Sequence, residues 1–564
     1  MTVVARGQHR HLGLSDSQVL QMYRLMLLTR AISQKSWVLA HFTMMQDGNE
    51  AASVGSAFAL RPGVDFILPY ARDLGAVLAF GMTPREVMLN LLARAEDPNG
   101  GGRQMPFHFG CRRRRIVSLS SPVALVVPRA AGIALASKLQ GREEVAVAYI
   151  GDGAASKGDT HEGMNFAAVF KAPMVVLCSN NGWAISVPAS RQAAVEDLAV
   201  RAQGYGMPGV TVDGCDALEV YRATREAVER ARRGEGPSFI EAKTVRLVSH
   251  TSSDDHLRYR TPQEIEADRA RDPVARMQRY VLEEGLLDED GASPRGRGVL
   301  GLYLWFLLRV LCARWGEAPR RGGMATKTYL EAVREALAEE LERDPSVVLL
   351  GQDIGRNGGV FRVTEGLFQR FGDARVMDTP LAESAIVGAA IGLALNGMRP
   401  VAEVQFADFI WGAADQLISD AARFCYRTGG EWPVPLVVRA PYGGPAHGGL
   451  YHSQSVEGFF HRVPGLKVVL PATPADAKGL LKAAVRDDNP VLYLEHKRAY
   501  RAVRGEVPEG EYTVPIGRAV VRRAGDHLSV VTYGMMVHHC LQAAEAAARE
   551  GVSVEVVDLR TVAP

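Results

Sequence analysis

Two short polar motifs, each placed directly after an apolar run, constrain the fold of this chain more than any other feature. Gly-Asp-Gly at 151–153 follows the apolar run 144–150, and Asn-Asn at 180–181 follows the run 174–178. The separation of roughly 30 residues suits a strand–helix–strand unit. In such a unit the carboxyl ends of both parallel strands meet at one edge of the sheet. The sequence therefore predicts that a carboxylate and an amide converge on one crevice.

The side chains at this predicted crevice are suited to a magnesium ion. Carboxylate, amide and backbone carbonyl oxygens are the hard ligands that Mg²⁺ prefers, and the ion then keeps positions for phosphate oxygens. Gly151 and Gly153 let the backbone approach a ligand closely. A single Gly-Asp-Gly is a weak signal because Asp-Gly turns are common. Combined with Asn-Asn after a second strand, it predicts a site for magnesium and a diphosphate.

Alternating strands and helices along the chain predict an α/β fold with parallel, doubly wound sheets. The alternation runs over 128–250 and again over 324–495, and helices are expected at 15–45 and 85–95. A third unit has two strands around a helix at 537–550, fewer than such a domain usually holds, so we expect a partial third domain. The predicted domains are 1–290, a linker at 291–323, 324–500 and 510–564.

The composition excludes several functional classes. The formal net charge is +2 and charged residues make up 23% of the chain, which argues against a nucleic-acid or membrane-surface role. The six cysteines form no C-x-x-C pair, so neither a disulfide framework nor a zinc site is expected and a reducing cytoplasm fits. The apolar run 299–313 is too short for a membrane-spanning helix, which needs about 20 residues. We therefore expect a cytoplasmic protein.

The motifs described above resemble the thiamine diphosphate motif, and the whole chain resembles the first component of 2-oxoacid dehydrogenase complexes. Residues 18–285 are similar to its α subunit, and residues 324–564 are similar to its β subunit without the end of the C-terminal domain. The resemblance implies a thiamine diphosphate-binding fold. It consists of two doubly wound parallel-sheet domains and a partial C-terminal transketolase-like α/β domain. The implied cofactors are thiamine diphosphate and Mg²⁺.

The resemblance also implies which residues of the first half hold the diphosphate end of the cofactor. Asp152 and Asn181 match side-chain ligands of Mg²⁺, and Trp183 offers its carbonyl where the family usually has Tyr. Arg72, in Pro69-Tyr-Ala-Arg, matches the arginine that binds the diphosphate. A planar fork of donors suits that task.

Five further residues match positions that contact the cofactor ring or the substrate. Ser121 and Val123 match contacts of the aminopyrimidine, and His250 matches the α-subunit catalytic histidine. Glu383, in Leu-Ala-Glu-Ser, matches the glutamate that hydrogen-bonds the pyrimidine ring, and His452 matches the β-subunit histidine. Glu383 also precedes an apolar helical run, where an acid favours the helix start, but the flanking match favours the catalytic role.

The implied reaction is oxidative decarboxylation of a 2-oxo acid, with transfer of the acyl group to a lipoyl group on a partner dihydrolipoyl acyltransferase. The segments 358–362, 405–409 and 451–454 look more like branched-chain members, which act on 3-methyl-2-oxobutanoate, than like pyruvate members. Phe361 and Phe406 would bury a branched alkyl group. Pyruvate stays open, because one or two methylenes are worth only about 1–3 kcal/mol. Two such chains would form a homodimer equivalent to α₂β₂.

The chain departs from the family pattern where polar side chains are usual near the cofactor. These positions are Ala71, Leu125, Val126, Ser179 and Gln352. Leu125 and Val126 replace a Thr-Gln pair that, in related proteins, helps hold a potassium ion under the cofactor loop. A non-catalytic homologue with a decayed cofactor site is therefore the alternative hypothesis.

Overall fold

A parallel sheet in the first half of the chain and a mainly parallel sheet in the second half form the frame of the computed structural model. The structure describes residues 7–40, 42–287, 323–444 and 448–563. The predicted α/β class with parallel sheets is confirmed. The predicted linker, apart from Gly323, and the apolar run 299–313 lie outside the described residues.

The first half contains eleven α-helices within the described residues. They are α1 (Gln8–His11), α2 (Asp16–Leu39), α3 (Glu50–Phe58), α4 (Leu74–Ala79), α5 (Pro84–Leu91), α6 (Val126–Leu139), α7 (Gly158–Val169), α8 (Ala189–Gln192), α9 (Ala217–Arg232), α10 (Pro262–Arg269) and α11 (Pro273–Glu283). Short 3₁₀ helices span Arg112–Arg114, Ala154–Ser156, Leu198–Tyr205 and His256–Arg258. The helix predicted at 15–45 is shorter than expected. It ends at Leu39 because the chain turns back, and Thr43 hydrogen-bonds Ser36 of the same helix.

The strands of the first half form one five-stranded parallel sheet and a small hairpin. They are β1 (Phe66–Leu68), β2 (Ala146–Gly151), β3 (Met174–Asn180), β4 (Trp183–Ala184), β5 (Val187–Pro188), β6 (Gly209–Val212) and β7 (Ser238–Lys243). The sheet order is β1-β2-β3-β7-β6, and β4 pairs with β5. The central strands read as continuous apolar runs because helices cover both faces of a parallel sheet. As predicted, both polar motifs follow neighbouring strands, β2 and β3.

The second half contains seven α-helices and eight strands within the described residues. The helices are α12 (Tyr329–Arg343), α13 (Leu367–Phe371), α14 (Glu383–Leu395), α15 (Ala422–Arg427), α16 (Glu457–Phe460), α17 (Pro474–Arg486) and α18 (Ala499–Ala502). The strands are β8 (Met324–Thr328), β9 (Val347–Gly351), β10 (Val376–Asp378), β11 (Arg399–Glu403), β12 (Val437–Tyr442), β13 (Lys467–Val469), β14 (Val491–His496) and β15 (Arg504–Pro508). A 3₁₀ helix spans Ala407–Ala413, and a π-helical segment spans Gln416–Ala421.

The last part of the chain forms a small three-stranded sheet with one helix. Its elements are β16 (Val520–Arg523), β17 (Leu528–Thr532), α19 (Met536–Arg549) and β18 (Val554–Asp558). Strand β19 (Thr561–Ala563) then leaves this unit and pairs antiparallel with β13. The seven-stranded sheet therefore has the order β10-β9-β11-β12-β14-β13-β19. The sequence predicted β17, α19 and β18 but neither β16 nor β19.

The two halves pack together mainly through helices α6 and α14. Glycines line their contact: a Cβ on Gly132 would overlap Ala389, and a Cβ on Gly392 would overlap the backbone of Arg129. Because neither glycine carries a side chain, the two helices approach at backbone distance. The two helices run in the same direction, since Gly388 in α14 faces Pro128 in α6, and Asn396, which follows α14, donates to Ser137 further along α6. Among the described residues, no helix has the length and apolar character needed to cross a membrane.

Candidate functional site

A cavity of about 290 Å³ lies beyond the carboxyl ends of β2 and β3, where the sequence predicted a crevice. Eight predicted site residues line it. They are Arg72, Val123, Gly151, Asp152, Gly153, Asn181, Trp183 and His250. Ser121 does not line it, because its hydroxyl is exposed and contacts Nε2 of His108 at 2.8 Å. Glu383 and His452, from the second half, do not line it either.

Asp152 brings a buried, unsatisfied carboxylate oxygen to this cavity. The residue is only 3% exposed, and among the described residues its Oδ2 has no hydrogen-bond partner. Burial raises the pKa of Asp152, while backbone N–H groups and the charges of Arg72 and Arg246 lower it in part. A buried carboxylate oxygen without a partner is costly, and a bound cation relieves that cost. This donor fits a magnesium ion.

The two neighbouring asparagines have different surroundings. Asn180 is buried, and its side chain donates to Glu241 at 2.7 Å and accepts from the Gly182 backbone at 3.0 Å. Both ends of its amide are therefore used within the protein. Asn181 lines the cavity, and its Oδ1 accepts from the Trp183 backbone at 3.1 Å. Since a carbonyl oxygen has a second lone pair, Asn181 keeps a donor position for a metal ion.

Contacts within the protein require glycine at only one of the two glycine positions of the Gly-Asp-Gly motif. A Cβ on Gly153 would lie 2.9 Å from Cβ of Ala184, which real side chains do not tolerate. The nearest atom to a Cβ on Gly151 is 4.0 Å away. The loop between β2 and α7 therefore packs closely on the hairpin that follows Asn181, and this contact sets Asp152 beside Asn181.

Arg72 and His250 form a polar pair on the cavity wall. Nη2 of Arg72 donates to the His250 carbonyl at 2.6 Å and lies 2.9 Å from its Nδ1. Because a guanidinium only donates, Nδ1 accepts and the imidazole proton lies on Nε2. Burial and the charges of Arg72 and Arg246 lower the pKa of His250 to about 3. His250 is therefore neutral at physiological pH and presents an N–H donor.

The cavity also contains residues that the sequence did not identify. Asp73 is buried, and burial raises the pKa of its carboxyl to about 7. It accepts from the Tyr70 backbone at 2.9 Å and from Asn49 at 3.1 Å, and Asn49 also donates to the Arg72 carbonyl at 3.0 Å. These contacts hold the turn that presents Arg72. Asp73 directly follows Arg72. Its place beside the arginine predicted to bind the diphosphate was therefore the available signal.

Glu383 lies at the contact between the halves, at the first residue of α14. Next to it, Ser384 donates to Asp159 at 2.5 Å, and the Ala385 backbone donates to Glu162 at 3.1 Å. Both acids belong to α7, which follows the Asp152 loop. Burial raises the pKa of Glu162, and the charges of Asp159 and Glu383 raise it further. Glu383 therefore lies in an acidic cluster that adjoins the cavity-bearing loop.

His452 lies in an aromatic cluster of the second half. Its ring centroid is 4.7 Å from that of Phe406 and 5.5 Å from that of Phe409, both in edge-to-face geometry. Phe406 in turn contacts Phe361 at 5.4 Å. The two phenylalanines predicted to bury an alkyl group are thus neighbours, and Phe406 contacts His452 directly.

A buried ion pair fixes the backbone on which His452 stands. Nζ of Lys497 donates to the His452 carbonyl at 2.7 Å and lies 3.4 Å from Asp408. Asp408 accepts from the backbones of Ser453 and Gln454 at 2.9 and 3.0 Å. The Asp408 and Lys497 side chains are almost completely buried. The pair therefore clamps three consecutive residues of the histidine loop.

Sequence profiles of known families match both halves of the chain. The dehydrogenase E1 component matches residues 19–293, the transketolase pyrimidine binding domain matches 325–503, and the transketolase C-terminal domain matches 517–564. The chain is also similar to characterised proteins of Bacillus subtilis. It is 60% identical to a 2-oxoisovalerate dehydrogenase subunit beta over 43% of this chain and 74% of that protein.

A different relative matches the first half. The chain is 50% identical to the 2-oxoisovalerate dehydrogenase subunit alpha of B. subtilis, over 51% of this chain and 88% of that protein. The second half is also 52% identical to the pyruvate dehydrogenase E1 component subunit beta of the same organism, over 43% of this chain and 74% of that protein. One polypeptide thus matches two subunits that are separate in those relatives.

Proposed function

This chain belongs to the dehydrogenase E1 component family, with an α-type and a β-type part in one polypeptide, and from that premise we propose its reaction. It is the thiamine-diphosphate-dependent oxidative decarboxylation of 3-methyl-2-oxobutanoate, which is 2-oxoisovalerate. The acyl group passes to the lipoyl group of a partner dihydrolipoyl acyltransferase. The names of the relatives matched by the two halves support this substrate.

The observation that carries the proposal is the set of donors in the cavity at the ends of β2 and β3. The unsatisfied oxygen of Asp152 and the guanidinium of Arg72 line the same space. A divalent cation suits the first and a diphosphate suits the second. Asp152, Asn181 and the Trp183 carbonyl would hold Mg²⁺, and Arg72 would bind the diphosphate. Gly151 and Gly153 flank this position.

Thiamine diphosphate supplies, when bound, a carbon nucleophile for the keto carbon and an electron sink for decarboxylation. The protein supplies the proton transfers. Glu383 would hydrogen-bond a nitrogen of the aminopyrimidine ring, with Ser121 and Val123 against the same ring. His250 presents Nε2–H to the substrate region, because its Nδ1 is occupied by Arg72. A diphosphate at Arg72 would offset the positive charge and raise the pKa of His250 toward neutrality.

His452 and its aromatic neighbours would contact the substrate side chain. Phe361 and Phe406 offer apolar surface for a branched alkyl group, and His452 would exchange protons with the reacting oxygens. The buried pair of Asp408 and Lys497 fixes the backbone of this histidine. Such a pocket would combine a histidine on a fixed backbone with an apolar wall.

The active unit in this proposal is a homodimer equivalent to two α and two β subunits. Large apolar side chains near His452 are exposed, as expected for a surface that another copy covers. They include Leu450, Tyr451, Trp411 and Phe459. Light scattering on the purified chain tests this point, with a dimer mass expected and a monomer mass contradicting it.

Two measurements test the function. Calorimetry with thiamine diphosphate, with and without Mg²⁺, is expected to show binding that requires the metal, and an absence of binding would favour the decayed-site alternative. A panel of 2-oxo acids with an artificial electron acceptor then compares substrates. We expect kcat/KM for 3-methyl-2-oxobutanoate to exceed that for pyruvate by about 10-fold or more. The reverse order would favour the pyruvate reaction, which the 52% identity to a pyruvate dehydrogenase subunit keeps as second candidate.

A further inference from the structure

The loop that precedes α6 forms one wall of the cofactor cavity and is held from behind by a buried arginine. Val123 of this loop lines the cavity, and Ala124 has a left-handed backbone (φ 74°). A non-glycine residue in that conformation needs support from its surroundings. Ser118 and Ser120, in the same loop, are buried. Their oxygens face the arginine described next.

Arg129, in the first turn of α6, is completely buried and donates hydrogen bonds to this loop. Its Nη1 donates to the Ser118 carbonyl at 2.8 Å, and its Nη2 donates to the Ser120 hydroxyl at 3.2 Å. Its Nε lies 3.3 Å from Oδ2 of Asp420. Burial lowers the pKa of Arg129 to about 10, which still leaves the guanidinium charged at neutral pH. One cation thus links two loop oxygens to one carboxylate.

The carboxylate in this network comes from the second half. Asp420, in the π-helical segment, is fully buried, and its Oδ1 accepts from the Ser120 hydroxyl at 2.7 Å and from Arg427 at 2.7 Å. Arg427 also donates to the Ser118 carbonyl at 3.4 Å. The loop beside the cofactor cavity is therefore fastened to the β-type part through charged groups that water does not reach.

The potassium ion known under this loop in related proteins does not fit the residues of this chain. Leu125 and Val126 are buried and offer only apolar side chains where a Thr-Gln pair supplies oxygens. The Ser118 carbonyl is already occupied by donors from Arg129 and Arg427. A hard monovalent cation needs several oxygen ligands, and the side chains at these two positions provide none.

We infer that the guanidinium of Arg129 replaces the monovalent cation in organising this loop, so that cofactor binding is independent of potassium. This inference rests on the proposed function, since it concerns the same cavity. The replacement keeps one positive charge beneath the loop and makes it a permanent part of the chain. Arg129 is a positioning residue, because it acts on the cavity only through Ser118 and Ser120.

Salt exchange on the full chain tests the inference directly. Calorimetry would measure thiamine diphosphate binding with Mg²⁺ in potassium, sodium or tetramethylammonium chloride at equal ionic strength. We expect dissociation constants within about twofold of one another, since ionic strength alone then acts equally in the three salts. Binding that weakens tenfold when potassium is withdrawn would overturn the inference.

A second readout separates failure of the inference from failure of the proposed function. Hydrogen exchange of the amides at 118–124 reports loop order without cofactor or activity. We expect the same protection in all three salts. If thiamine diphosphate binds in none of them, the proposed function fails, while salt-dependent protection of this loop would independently refute the role of Arg129.

Substitutions of Arg129 test the inference through a loss of cofactor binding. Arg129→Gln removes charged hydrogen bonds and should weaken cofactor binding by about 10- to 100-fold, with no recovery in potassium. Arg129→Lys keeps the charge without the fork and should lie between this variant and the original chain. Arg113→Gln, which removes an exposed arginine paired with Glu86, is the matched control and should bind normally.

A triple variant gives the strongest discrimination. The variant Leu125→Thr/Val126→Gln/Arg129→Gln restores side-chain oxygens at positions 125 and 126 and removes the guanidinium at position 129. We expect this protein to regain binding and loop protection in potassium but not in tetramethylammonium. Binding by Arg129→Gln at the original affinity would overturn the inference. If Arg129→Gln unfolds, Arg129→Lys decides, because unchanged affinity and unchanged protection in that variant would equally contradict a role for the fork.

Discussion

The two histidines assigned to catalysis have opposite surroundings. His250, in the first half, lies beside two arginines in a polar cavity, and positive charge helps to keep it neutral. His452, in the second half, lies among aromatic rings, and a buried ion pair holds its backbone rather than its ring. The first region gathers, within one chain, side chains that suit an anion and a metal ion. The second presents a rigid loop and exposed apolar residues. The two regions thus hold a histidine by different means, burial and positive charge in the first and aromatic packing with a backbone clamp in the second.

The largest expected effect tests whether the two regions act as one site. Glu383→Gln keeps the size of the side chain but cannot carry a negative charge or transfer a proton. We expect acylation of a lipoyl acceptor to fall by about 10²- to 10⁴-fold, as for loss of general acid–base catalysis. Thiamine diphosphate binding, measured by calorimetry, should persist because Glu383 is outside the diphosphate cavity. Undiminished acylation would refute this role and leave the cavity of the first half as an isolated binding site.

The second prediction concerns the clamp under His452. Lys497→Met leaves Asp408 buried without its partner, and breaking such a pair costs about 3–5 kcal/mol. The backbone amides of Ser453 and Gln454 donate hydrogen bonds to Asp408. Their hydrogens should then exchange with solvent far faster. The double variant Asp408→Asn/Lys497→Met should recover much of this protection. Unchanged exchange in Lys497→Met would show that the histidine loop does not depend on the clamp.

The third prediction concerns Asp152, a proposed magnesium ligand of the first half. Asp152→Asn keeps the shape of the side chain but removes its charge, so magnesium-dependent cofactor affinity should fall about 10- to 150-fold. The melting temperature without cofactor should stay equal or rise, because a neutral amide replaces a buried carboxylate that has one unpaired oxygen. Asp526→Asn is the control, since Asp526 is an exposed carboxylate that does not line the cavity. An equal loss of affinity in both variants would contradict the special role of Asp152.

The smallest expected effect is a pH dependence of stability that arises from His250. His250 has a pKa of about 3 in the folded chain and 6.5 as a free side chain. As the pH falls below 6.5 the unfolded chain takes up the proton first, so the stabilisation present above 6.5 is lost progressively toward pH 3. His250→Gln should flatten this decline by about 1 kcal/mol after solvent screening. Urea unfolding without cofactor at pH 7 and pH 5 measures it, and an unchanged decline would contradict the assignment.

Local patterns predicted the cavity well because its main residues follow two neighbouring strands. Strand spacing placed Asp152 beside an amide of the Asn180-Asn181 pair, the family resemblance selected Asn181, and the structure sets Asp152 and Asn181 in one cavity. Asp73 and Asn49 were missed, since their importance arises from burial around a turn. The ion pairs of Arg129 were also missed, because Asp420 lies in the other half of the chain. Long-range charge pairing leaves no periodic signal in a sequence. The positions of Glu383 and His452 relative to the cofactor remain predictions.

The strand β19 has a consequence for how the protein unfolds. The chain leaves the seven-stranded sheet after β14, builds the small sheet around α19, and returns to pair with β13. Arg522 and Arg560 of this small unit also contact Asp476 in α17. The small unit is thus tethered to the larger sheet at both ends of its sequence. Calorimetric melting should therefore show no early separate transition for residues 520–558, and amides of β13 should become deuterated together with those of β18.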